Sequence, residues 1–229
     1  MGSLSFCASV AMHEIKKTFT YNHTPMIAFS VRYPKVTLRH NPSAQKRINR
    51  QIQAQVGDFY RYVSGDLYRQ AVAAHHDAQE SGFPFHRYDA VLNYEITYNQ
   101  HCHLSLYRDQ YEFTGGAHGN TVRRSDTWSL ESGQRLPLSS FFSAGQDYRA
   151  LLIDQITQQA DERIQQDPGI FFENYRALIV EYFNEEQYYL TPSGIALYYQ
   201  HYEIAPYATG IVVFTVPYAA VDWQPSCCK

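Results

Sequence analysis

Between residues 87 and 99 the side chains alternate strictly: Leu92, Tyr94, Ile96 and Tyr98 fall on one face, Asn93, Glu95 and Thr97 on the other. A period of two with one apolar face marks a strand that buries one side. Residues 101–113 follow at once with the same character. Two such strands in direct succession pair antiparallel through a tight connection. Any fold for this chain has to be built around that hairpin.

The rest of the sequence supplies more strands in short runs. Segments 13–23 and 26–38 read as two strands, the second alternating Ile27, Phe29, Val31 and Tyr33, with Pro34 marking an edge or bulge. Asn41-Pro42 reads as a helix cap with proline at the first position. From there Ile48, Ile52, Val56, Phe59, Tyr60, Val63 and Leu67 recur at three- and four-residue steps, which predicts a long amphipathic helix over 42–79, ended by Ser81-Gly82. Strand 121–130, a helix over 146–166, a second helix over 171–183, and strands 187–190, 195–204 and 211–217 complete the pass. Helices stand between blocks of strands instead of alternating with them, so the expected class is α+β: two packed halves, each an antiparallel sheet with one or two helices. The expected division is a disordered N-terminal segment 1–12, an N-terminal half 13–120, a C-terminal half 121–222 and a tail 223–229.

Composition removes several classes of function. The 229 residues are 45% hydrophobic and 18% charged, which suits a globular chain and not a disordered one. A formal net charge of −3 argues against a globally basic nucleic-acid binder. No apolar run is long enough to cross a membrane, and Met1–Met12 lacks the basic start of a signal peptide. Leu4-Ser5-Phe6-Cys7 fits a lipoprotein cleavage site poorly, because Phe6 is bulky. Cys7, Cys102, Cys227 and Cys228 form no CxxC and read as no disulfide framework, Cys102 being expected as a small buried residue. Charge is uneven: residues 35–69 carry a net +5 and residues 154–203 a net −7. An acidic face steers a basic partner, although solvated helix faces give the same count.

No catalytic set stands out. His101 and His103, two apart in an expected strand, would share a face and could chelate zinc, but no spacing names a third ligand; His118, His75-His76 and His86 are candidates by presence alone, and a metal-dependent hydrolase would use His101, His103 and His118. Gly115-Gly116-Ala117-His118-Gly119 lacks the Lys-Ser/Thr of a phosphate loop, so it reads as a tight turn needing positive φ, with His118 bonding backbone, or as a partner contact. No cofactor is named by any motif. Twenty tyrosines are the odd feature. Tyr198, Tyr199, Tyr202 and Tyr207 gather around Glu203 and Pro206; on strand 195–204, Ile195, Leu197 and Tyr199 would face the core while Tyr198, Gln200 and Tyr202 look outward, either as an aromatic face packed on a helix or as a contact patch for protein or glycan.

Two segments together resemble a known family. Tyr111-Glu112-Phe113-Thr114-Gly115-Gly116-Ala117-His118-Gly119-Asn120 and the run Leu190–Pro217, centred on Tyr202-Glu203-Ile204-Ala205-Pro206-Tyr207-Ala208, are similar to the paired extracytoplasmic domains of RsiV-type anti-sigma factors. Similar non-catalytic domains accompany a peptidoglycan deacetylase. The resemblance implies an extracytoplasmic, non-enzymatic binding module of the bacterial cell envelope. Its partner would be lysozyme or another basic protein, with peptidoglycan as the alternative, and its binding residues would be Tyr198, Tyr202, Glu203, Pro206, Tyr207, Gly115, Gly116 and His118. The membrane helix and sigma-binding segment that signalling needs are not in this sequence, and neither nucleic acid nor membrane insertion is expected.

Overall fold

The computed structural model describes residues 7–227. Among these the chain is α+β, with a five-stranded sheet in the order β1-β2-β3-β4-β5 and a three-stranded sheet in the order β6-β7-β8. Its strands are β1 (Ser9–Tyr21), β2 (Thr24–Thr37), β3 (Tyr88–Gln100), β4 (His103–Phe113), β5 (Asn120–Ser129), β6 (Tyr188–Thr191), β7 (Gly194–Tyr199) and β8 (Val212–Pro217). Helices α1 (Pro42–Tyr62) and α2 (Tyr68–Ser81) lie between β2 and β3; α3 (Tyr148–Gln166) and α4 (Tyr175–Glu181) lie between β5 and β6. Of the segment 1–12 expected to be disordered, residues 1–6 lie outside the described residues, and so does the Leu4–Phe6 part of the lipoprotein-like motif. Ser9–Met12 begin β1 instead, paired with Thr37–Pro34. Of the expected tail, residues 228 and 229 are also outside.

The chain divides into two compact units. One comprises Ser9–Tyr94 and Arg108–Val122; the other comprises Cys7 and Ala8, Glu95–Tyr107 and the described residues from Arg123 onward. Strands β3, β4 and β5 therefore each contribute residues to both.

In the first unit β1 and β2 form a hairpin through Asn22-His23, both with positive φ, which matches the twist of the flanking strands. The link from β2 to β3 is the long helical segment, and a strand reached through a crossover returns parallel. Ile27–Arg32 accordingly run parallel to Tyr88–Asn93, a parallel pairing inside sheets that are mainly antiparallel as expected. Asn41 caps α1 through its Oδ1, which accepts from Ala44 N at 3.1 Å, with Pro42 behind it. Ile48, Ile52, Phe59, Val63, Leu67 and Ala71 bury against the sheet, and Phe59 stacks on Phe29. Each large side chain so buried contributes about 1.5–3 kcal/mol. The segment is not one uniform helix: Val63–Leu67 form a π turn. The buried positions 59, 63, 67 and 71 advance four residues at a time, and an α-helix drifts by about 40° per such step. One wider turn returns them to the sheet. Gly82, at φ 72, ends α2.

In the second unit α3 starts from Asp147, whose Oδ1 accepts from Ala150 N at 3.1 Å. Leu152, Ile156 and Ala160 pack with Phe171, Ile179, Ile195, Leu197, Tyr199 and Phe214 in one cluster. Strand β7 is the centre of its sheet and is buried at every position. Ile195, Leu197 and Tyr199 face the α3 side, as the sequence predicts. The opposite face is covered too: Ala196 and Tyr198 pack with Tyr189, Tyr107, Ile211 and Val213. A correction concerns cysteine, since Cys102 is joined to Cys227 by a disulfide. No helix of the described residues is long and apolar enough to cross a membrane.

Candidate functional site

The most developed surface feature of the second unit is the loop from Gln200 to Gly210, where the sequence predicts that the strand continues to residue 204. The strand stops at Tyr199 because the next residues are held in a turn. The carboxylate of Glu203 accepts from the backbone N of Gln200 at 2.6 Å, and Glu203 N donates to Gln200 O at 3.2 Å. Tyr202 takes φ 67, the left-handed region. The Gln200 side chain fixes the start of the loop to β5: its Oε1 accepts from Arg123 N at 3.0 Å, and its Nε2 donates to Arg123 O at 2.8 Å and to Gln187 Oε1 at 2.9 Å. Ile204 and Ala205 are buried, Ile204 O accepts from Phe172 N at 3.1 Å, and Thr209 Oγ1 donates to Ile170 O at 2.9 Å. The loop is thus seated at both ends and in its middle.

What the loop presents is aromatic. Tyr207 stacks on His201, ring centroids 4.6 Å apart, and Tyr202 lies 5.7 Å from Tyr207. Tyr202 is 57% exposed, Tyr207 and Pro206 half-buried. Tyr198 does not join them. It is 2% exposed, with its hydroxyl 3.1 Å from Ser125 Oγ, so the expectation that it looks outward beside Tyr202 is corrected. The reason is the covered second face of β7 and the turn that rotates Tyr202 out of strand register. Glu203 is half-buried, and desolvation pushes its carboxyl up from the ordinary range, partly offset by the hydrogen bonds from Gln200 and Gln187. It shapes the loop more than it faces solvent. His201, which carries the stack, has no motif that marks it as a site residue; Gln200, expected on the outward face, instead anchors the loop to β5.

Acidic residues of the same unit surround this chemistry in sequence. Asp154, Glu162, Asp167, Glu173, Glu181 and Glu186 are exposed. Asp161 is ion-paired with Arg176, two contacts of 2.9 Å, and also accepts from the Tyr175 hydroxyl, and Glu186 is ion-paired with Arg135 at 2.6 Å. Asp167 and Glu173 flank the segment Ile170–Phe172 on which the loop rests.

The glycine-rich turn belongs to the other unit. Gly115 has φ 86, as a turn glycine should, and His118 Nδ1 donates to Gly119 O at 2.9 Å. Gly116 meets nothing within 4 Å where a Cβ would stand. The demanding position is Gly119, which is buried and whose Cβ would strike the Tyr111 ring. On the other side of that unit's sheet from the helices, Ala28 and Ser30 floor a groove of about 500 Å³ walled by Lys16, Thr18, Asp89, Val91 and Tyr111.

His101 and His103 do not share a strand face. His101-Cys102 is the hairpin turn between β3 and β4, both residues at positive φ. His101 Nδ1 lies 2.8 Å from the Tyr98 hydroxyl, and His103 Nδ1 donates to His101 O at 2.6 Å. His118 falls in the other unit. Among the described residues no group of three or more His, Cys, Asp or Glu is arranged to hold a metal ion.

The architecture defines an α+β chain in which a helix-crossed sheet unit is followed by a unit built on a small antiparallel sheet. Comparison with known proteins places both parts. Residues 21–121 match the family described as Deacetylase PdaC, and residues 139–219 match a protein family of unknown function, DUF3298. A DUF3298 family member from Bacteroides fragilis shares the fold at TM-score 0.69 and 18% identity, over 94% of this chain and 92% of that one. A DUF3298 family protein from Pseudomonas aeruginosa does so at TM-score 0.62 and 17% identity, over 95% and 94%. No curated protein matches the chain.

Proposed function

We propose that this protein is a non-enzymatic binding module of the bacterial cell envelope that recognises a basic protein, lysozyme first among candidates, through the Gln200–Gly210 loop. The observation that carries this reading is Tyr202: a large aromatic side chain, more than half exposed, on a loop whose backbone is fixed by Gln200, Glu203 and Ile204. A rigid, exposed tyrosine beside a second ring is the kind of group that anchors protein interfaces at little entropic cost. The exposed acids of the same unit would speed encounter with a basic partner. The Cys102–Cys227 disulfide suits an oxidising, extracytoplasmic location. Anti-sigma activity is not part of this reading.

Titration calorimetry of lysozyme into the full chain tests it. Saturable binding at about 10 µM or tighter is expected, weakened at least about tenfold in Tyr202→Ala. Absence of binding at about 100 µM, or binding that Tyr202→Ala leaves unchanged, overturns it.

A second reading, an accessory domain that holds wall glycan, is favoured by the groove over Ala28 and Ser30 in the unit that matches the family named for a deacetylase. Co-sedimentation with insoluble peptidoglycan, sensitive to Tyr111→Ala and not to Tyr202→Ala, would support it over the lysozyme reading.

A further inference from the structure

Strand β1 is thirteen residues long and lies at the edge of the five-stranded sheet; no strand of the described residues lies beyond it. None of its residues is buried, although its neighbour β2 buries Met26, Ile27, Phe29, Val31, Pro34 and Val36. The helices touch β1 at its second half, where Lys17 Nζ donates to the Tyr60 hydroxyl, Phe19 meets Tyr60 and Tyr68, and the Tyr68 hydroxyl donates to Thr20 O. Ile15 is left 39% exposed and Tyr60 37%. Long edge strands are open templates for pairing; β1 has neither proline nor glycine, and its one register shift against β2 lies toward its far end, between Phe19 and Thr20.

The sequence of β1 is self-complementary about its own centre. Ile15 is the middle residue of Ser9–Tyr21. Antiparallel pairing of two copies about Ile15 sets Ile15 against Ile15, Glu14 against Lys16, and Lys16 against Glu14. Ala11–Phe19 of each copy then overlap, the stretch that lies before the register shift between Phe19 and Thr20. Moving the centre to Lys16 opposes two lysines, and moving it to Glu14 opposes two glutamates, each unfavourable across strands. A two-fold axis normal to the sheet keeps both copies' helices on one side and brings the exposed Ile15 pair together on that side, where Ile15 already faces the buried Val31 of β2. Such a contact is closed and isologous.

We propose that β1 is a self-recognition edge: two copies of this chain pair through β1, in register about Ile15, to give one continuous ten-stranded sheet. The Glu14 and Lys16 carboxylate and ammonium, 2.8 Å apart within one chain and 50% and 69% exposed, exchange partners across the two-fold axis.

Sedimentation equilibrium on the full chain tests the proposal, with circular dichroism to confirm folding. The wild type is expected to reach twice the 26.5 kDa chain mass at about 100 µM or below. Lys16→Glu and Glu14→Lys, both on exposed side chains, are each expected to weaken dimerisation at least about tenfold, because each opposes like charges. An equimolar mixture of the two variants is expected to dimerise again, since the paired glutamates of the Lys16→Glu chain then face the paired lysines of the Glu14→Lys chain. A monomeric wild type, or a dimer indifferent to both single changes, or a mixture that stays monomeric while the wild type dimerises, overturns it.

Discussion

The ring of Tyr207 lies against that of His201, centroids 4.6 Å apart and planes 25° from parallel, while Tyr202 leans on Tyr207 from the solvent side. The two tyrosines therefore have separable roles. Tyr207 holds the loop and Tyr202 projects from it. Tyr202→Ala is expected to change stability by less than about 0.5 kcal/mol, and Tyr207→Ala to cost about 1 kcal/mol through the lost ring pair. Urea denaturation separates them, and equal losses from the two changes would contradict the division.

Much of this fold is legible in the sequence, and the places where it is not share a cause. The β3–β4 hairpin, the capped helix after Asn41 and the closing strands all follow from periodicity and cap chemistry, because each is set by neighbours in the chain. The misplaced features depend on distant contacts. His101 and Cys102 form a turn with positive φ without glycine or asparagine, so nothing local marks it. Tyr198 is buried because both faces of β7 are covered, which alternation alone cannot reveal. The loop at Tyr202 is fixed by a Gln200 amide that bonds to Arg123, 77 residues away, which lets the local Glu203–Gln200 turn displace the strand that alternation predicts. Cys102 and Cys227 are 125 residues apart, and spacing of that length carries no pairing signal.

Gln200 is expected to be the costliest polar side chain in the loop to lose. Its amide serves both Arg123 N and Arg123 O. Gln200→Ala removes both of these side-chain hydrogen bonds to the β5 backbone, a loss of about 2 kcal/mol at about 1 kcal/mol each. Hydrogen exchange at the Arg123 amide should accelerate in the variant; an unchanged rate would show that the amide does not depend on Gln200.

Glu203 gives the loop a pH signature. Burial raises its carboxyl above the ordinary 4.5, so the folded chain keeps a proton that the unfolded chain releases. Stability from this group is complete below about 4.5 and is lost as pH rises through the higher folded value. Glu203→Gln keeps an oxygen for Gln200 N and cannot ionise. Its urea midpoint relative to the wild type should climb across that window and then level. Parallel pH profiles for the two proteins would show that Glu203 ionises in the folded chain as freely as in the unfolded one.

The glycine-rich turn offers a contrast between two nearby positions. Gly116→Ala places a methyl in open space and is expected to be nearly neutral. Gly119→Ala drives it into the Tyr111 ring, and overpacking of that kind costs about 1–3 kcal/mol. The paired change Gly119→Ala with Tyr111→Ala should cost less than the sum of the two single changes, a coupling that thermal melts of the wild type and these three variants read directly.

The Cys102–Cys227 bond ties the C-terminal segment to the β3–β4 turn. Trp223, shortly before Cys227 in the chain, packs edge-on to Phe141 at 4.8 Å, to Tyr218 at 5.2 Å and to His103 at 5.7 Å. Closing a loop this long stabilises by about 4–5 kcal/mol in the chain-entropy limit, and about 2–4 kcal/mol is the usual yield. Reductant, or Cys227→Ser, is therefore expected to lower the unfolding free energy extrapolated from urea denaturation by that amount. The change should be visible first at Trp223, since Trp128 is fully buried in the second unit. Emission should shift to the red in Cys227→Ser and not in a Cys227→Ser, Trp223→Phe double variant. A red shift that persists in the double variant would place the loosening at Trp128, and thus in the core, not in the tethered segment.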